Sequence, residues 1–135
     1  MTKNTLSLLC SFALGLSLTV SLTAEPVWLC SIVEGVSVEA DGTAGPIELG
    51  DLERPTFLRV DSDGKEVTLL APESRRGEVT AIGTVHRGDG CWIMTGLEKD
   101  RAWSLIISDE GQMTLSVTDD GATWAIFGNA LREDS

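Results

Sequence analysis

Trp103-Ser104-Leu105-Ile106-Ile107-Ser108, the turn Asp109-Glu110-Gly111-Gln112 and then Met113-Thr114-Leu115-Ser116-Val117-Thr118 settle the architecture of this chain. Trp103, Leu105 and Ile107 alternate with Ser104, Ile106 and Ser108, and Met113, Leu115 and Val117 alternate with Thr114, Ser116 and Thr118. A period of two predicts half-buried strands. Asp-Glu-Gly-Gln at 109–112 and Asp-Asp-Gly-Ala at 119–122 break the alternation where glycine permits a tight reversal, so antiparallel strands should meet there. A third strand over Thr123 to Phe127 completes a meander, with Trp124 and Ile126 on one face and Ala125 and Phe127 on the other.

Upstream of this meander the same signals recur. Val27 to Glu34 places Trp28, Cys30 and Ile32 opposite Val27, Leu29, Ser31 and Val33, and Val36 to Glu39 continues the strand past Gly35. Ala40 to Pro46 is turn and loop chemistry, and the run to Arg54-Pro55 has no clear period and admits a short helix. Thr56 to Val60 and Glu66 to Leu70 flank Asp61-Ser62-Asp63-Gly64-Lys65 as a hairpin. Ala71 to Gly77, with Arg75-Arg76 between Glu73 and Glu78, reads as an exposed loop, the one concentrated positive spot. Glu78 to His86 and Cys91 to Thr95 add two strands across Arg87-Gly88-Asp89-Gly90. The expected fold is all-β: one small antiparallel meander sandwich or barrel of about eight strands.

Met1 to Ala24 carries Lys3, no acidic residue, and an apolar core from Leu6 to Val20. It reads as a helical signal peptide cleaved after Ala24, with a retained membrane anchor as the rival reading. The expected organisation is therefore a leader over 1–24 and one domain over 25–135, secreted or periplasmic and outside the membrane once cleaved. The chain has 10 basic and 21 acidic residues, a net charge of −11, and loss of Lys3 makes it −12. Such a surface repels nucleic acid and anionic lipid, keeps an exported protein dispersed, and attracts a basic envelope or secreted protein.

Two cysteines, Cys30 and Cys91, follow the leader, and in an oxidising compartment their even number suggests one disulfide. Closing a loop of 61 positions would contribute about 4 kcal/mol in the chain-entropy picture. Two thiols and the single His86 make an incomplete metal set, and no C-x-x-C spacing marks a redox pair. No cofactor is expected.

Candidates for chemistry are few. His86 lies beside Arg87 with Asp89 three positions on, yet no G-x-S-x-G accompanies it, and a histidine in a turn is the simpler reading. The acidic turns at 61–64, 109–111 and 119–121 carry calcium-type ligands, but Gly64 directly after Asp63 departs from an EF-hand loop, and Asp-Gly is hairpin chemistry. Trp28, Trp92, Trp103 and Trp124 all fall in expected strands, where they serve as core anchors or line a barrel mouth that holds a ligand. With Arg75 and Arg76 they are the candidate contacts for a ligand or partner.

Trp103-Ser104-Leu105-Ile106-Ile107, Gly111-Gln112-Met113-Thr114 and Phe127-Gly128-Asn129 together resemble the tail of small secreted bacterial β-rich proteins. The resemblance implies export and an all-β domain, and supplies no activity or catalytic residue. In that pattern a cysteine follows the Phe-Gly pair, where this chain has Ala130.

Three functions remain in competition. A non-enzymatic binding or protein-interaction module of the cell envelope comes first, a small-ligand carrier with a Trp-lined cavity second, and a carboxylate-based hydrolase third. A flat acidic face over a filled core marks the first, a tryptophan-walled cavity the second, and converging carboxylates the third.

Overall fold

The computed structural model describes residues 25–47 and 55–133. They form strands β1 (Val27–Glu39), β2 (Ala44–Pro46), β3 (Phe57–Asp61), β4 (Glu66–Ala71), β5 (Val79–Ala81), β6 (Thr84–Arg87), β7 (Cys91–Glu98), β8 (Arg101–Ser108), β9 (Gln112–Thr118) and β10 (Ala122–Arg132), with a 3-10 turn over Glu73–Arg75. All belong to one antiparallel sheet in the order β5-β4-β3-β1-β10-β9-β8-β7-β6, with β2 paired onto β1. The expected all-β antiparallel fold is present, with ten strands among the described residues where the sequence suggested about eight. The leader over 1–24, with Cys10, lies outside the described residues, as does 48–54, within the run whose sequence admits a short helix.

The sheet is curled into a half-barrel. Three strands, β10, β9 and β8, separate β1 from β7 in the sheet, yet the rings of Trp28 on β1 and Trp92 on β7 meet edge to face with centroids 5.9 Å apart. Alternation puts one face inside: along β8, Trp103, Leu105 and Ile107 are buried, while Ser104 and Ile106 face outward. Met94 from β7, Met113 from β9, Ile126 from β10 and Val60 from β3 pack against them. Each such burial contributes roughly 1.5–3 kcal/mol.

Two bends produce the curl. β1 shifts register between Ile32 and Glu34 against β10, a bulge that leaves Val33 pointing into solvent. The second bend divides the stretch expected as one strand over 78–86. Val79–Ala81 pairs with β4, whereas Thr84–Arg87 pairs with β7. At the corner between them Ile82 N–H donates to the Lys65 carbonyl at 2.9 Å, Gly83 N–H donates to the Thr95 carbonyl at 2.8 Å, and the Ile82 side chain enters the core. One strand therefore leaves one edge of the sheet and joins the other.

The expected disulfide is absent: Cys30 and Cys91 are both free thiols. The pleat explains why. Cys30 shares the interior face of β1 with Trp28, whereas Cys91 directly precedes Trp92, whose ring points inward, so its sulfur points to the outer face and lies near Gly88. Burial pushes the Cys30 thiol up to about 12.

Candidate functional site

The two ends of the half-barrel differ. At one end Trp28 and Trp92 form a plug, and the Arg87 guanidinium stacks over Trp92 at 5.3 Å while donating two hydrogen bonds to Asp109, at 2.8 and 2.9 Å. The hydrogen bonds from Arg87 hold the Asp109 carboxyl below its usual range. The other end is hollow. A cavity of about 330 Å³ opens there, walled by Ile32, Leu58, Leu69, Leu115, Val117 and Ile126 together with the rings of Trp103 and Trp124. Every one of these side chains belongs to the interior face of its strand.

The rim is polar. Thr80, Arg75, Glu98 and Arg101 line it. Arg75 is already paired, its Nε donating to Glu78 at 2.7 Å. Glu98 and Arg101 are opposite one another at the mouth of the β7–β8 hairpin, and the Arg101 guanidinium lies over the Trp124 ring at 5.4 Å. Trp103 lies against Gly96, its cross-strand partner, and its buried Nε1–H has no hydrogen-bond partner among the described residues.

Other hollows are less suited to a ligand. The notch of about 700 Å³ beside the β5–β6 corner has no charged side chain in its lining, and its hydroxyls bond each other: Thr84 with Thr95, and Ser104 with Ser116 at 2.7 Å. An outer-face groove of about 570 Å³ runs beside Leu29, Phe57, Leu70 and Leu131.

The candidate residues read from the sequence are thus dispersed. Trp103 and Trp124 wall the cavity and Arg75 reaches its rim, whereas Trp28 and Trp92 fill the opposite end and Arg76 turns to Glu73, 3.6 Å away. His86 is exposed on β6, in register with Ile93. Two of the acidic turns fold back on themselves, Asp61 accepting from the Gly64 N–H and Asp119 from those of Gly121 and Ala122, while Asp109 of the third accepts from Arg87. Among the described residues no three His, Cys, Asp or Glu side chains converge as a metal set. Arg101 and Glu98 escaped the sequence reading, since as charged residues flanking a turn they look like any solvated hairpin end.

The chain matches no family model, no curated protein and no solved structure, so the cavity has to be read from its own chemistry.

Proposed function

We propose that this protein is an exported, non-enzymatic binding module that takes a small apolar ligand into the open end of its half-barrel. The cavity walled by Trp103 and Trp124 carries this reading. Barrel mouths are favoured ligand sites because they offer concave apolar surface whose desolvation drives binding, with a few polar groups at the rim to set orientation. Its volume of about 330 Å³ lies at the low end of the range for small-molecule sites, which matches a single slender ligand.

Titration with the uncharged fluorophore N-phenyl-1-naphthylamine tests the reading. Saturable uptake with energy transfer from tryptophan is expected, and Trp124→Ala should weaken it about tenfold. Uptake that rises linearly without saturating in the native protein would refute it. Export is tested by N-terminal sequencing of the mature protein, which should begin at Glu25.

An apolar strip on the outer face supports a second reading, docking of another protein. Leu29, Phe57 and Leu131, on neighbouring strands β1, β3 and β10, are 38%, 40% and 66% exposed. Capture from envelope extract under a salt gradient distinguishes the contact used: a basic partner on the acidic turns leaves as salt rises, whereas one on the strip stays bound.

A further inference from the structure

We infer that the ligand of this cavity is a linear apolar chain ending in a single carboxylate, with the chain between Trp103 and Trp124 and the carboxylate on Arg101. The inference rests on the proposed ligand-binding role and names its chemistry.

Arg101 carries the argument because its situation differs from that of four other arginines. Arg59, Arg75, Arg76 and Arg87 each lie within 4.0 Å of a carboxylate, Arg59 bonding Glu133 through two nitrogens at 3.2 Å. In a chain of net charge −11 that is the expected fate of a guanidinium. Arg101 instead lies over the Trp124 ring at 5.4 Å, and among the described residues no carboxylate reaches it within 4.0 Å. Contact with the indole face restrains its planar donor fork, and such a fork matches a carboxylate through two parallel hydrogen bonds. The residue that holds the fork, Trp124, is also a wall of the cavity. A carboxylate on Arg101 therefore directs its own chain inward, along Val117, Leu115 and Ile126.

The cavity also bounds the length of the chain. At about 30 Å³ for each water-sized group, 330 Å³ holds on the order of ten chain atoms. Affinity should climb roughly fourfold per added methylene until the hollow is full.

Two charges oppose an anion. The overall field is acidic, but at physiological salt it is screened beyond about 8 Å, while a contact pair is not. Glu98 is local, sharing the rim with Arg101, and it must weaken the carboxylate seat without occupying it. That opposition yields a variant that should improve binding.

The test compares decanoate, 1-decanol and decyltrimethylammonium on the purified protein, read by tryptophan fluorescence and by calorimetry. Decanoate should bind at least tenfold tighter than decanol. Arg101→Gln should remove that advantage by weakening decanoate far more than decanol, and Glu98→Gln should tighten decanoate severalfold. Arg101 and Glu98 are both exposed at a hairpin end, so neither change threatens folding. Equal binding of decanoate and decanol, or a preference for the cation, overturns the carboxylate assignment and leaves the apolar cavity standing. If none of the three saturates, the cavity reading itself fails, and this inference with it.

Discussion

Gly128 is where a single side chain would do the most damage. It faces Ile32 across the β1–β10 ladder at the bulge, and a Cβ built there would overlap the Ser31 carbonyl oxygen. Backbone cannot retreat as a flexible side chain can, because Ser31 is itself held between β10 and β3. Gly128→Ala should therefore cost on the order of 3 kcal/mol, enough to remove a large part of the stability of a small domain. Gly45 supplies the control: on the short strand β2 an added Cβ meets nothing within 4 Å, and Gly45→Ala should stay within about 0.5 kcal/mol of the native protein. Urea midpoints of the two variants check this directly, and equal midpoints would refute the account of the bulge. The same close approach explains Gly96, whose missing side chain is the space that the Trp103 indole fills.

Among the elements, what was legible in the sequence was what is local. The period of two in β8 and β9, with Gly111 at the turn, specified strand, face and reversal together, because side-chain alternation and glycine turn chemistry act between residues a few positions apart. The stretch over 78–86 also reads locally as one strand, and it is not one. Its division is imposed by two hydrogen bonds from distant parts of the chain, to Lys65 and Thr95, and by the core space open to Ile82. Arg101 was illegible for a similar reason, since its meaning arises only when folding places Trp124 beneath it. The corner leads to a prediction at this scale. Ile82 is 4% exposed and is the one core residue of the link between β5 and β6, so Ile82→Ala should cost about 2–5 kcal/mol. Amide exchange should show the loss first as reduced protection of Ile82 and Gly83, with β8 and β9 opening only with the whole molecule. Uniform loss of protection across all strands would instead mean that the corner has no independent role.

Across the whole molecule, the two halves of the sheet are joined by the first and last strands described rather than by a covalent bridge. β1 and β10, the first and last strands described, pair along nearly their full length, from Trp28 with Arg132 to Glu39 with Ala122, and β3 joins the other edge of β1. Ser62 adds a buried tie between the start of β1 and the end of β3, its Oγ–H donating to the Pro26 carbonyl. The free thiols, placed on opposite faces of the sheet, add no covalent link between these halves. The melting temperature should consequently be the same with and without reductant, and a fall in reductant of the size expected for losing about 4 kcal/mol would show that the thiols pair after all. The interior thiol still leaves a pH signature. An unfolded cysteine ionises near pH 8.5, whereas the Cys30 proton is held to about 12 because burial disfavours the thiolate. A group whose folded pKa is raised contributes its full stability below the unfolded value and loses it as pH rises through the interval up to the folded one. Between pH 8 and 10 the urea midpoint should therefore fall more steeply in the native protein than in Cys30→Ala, whatever the offset between the two curves. Parallel slopes would mean that Cys30 is not enclosed, and that the half-barrel admits water further inward than its tryptophan-walled end.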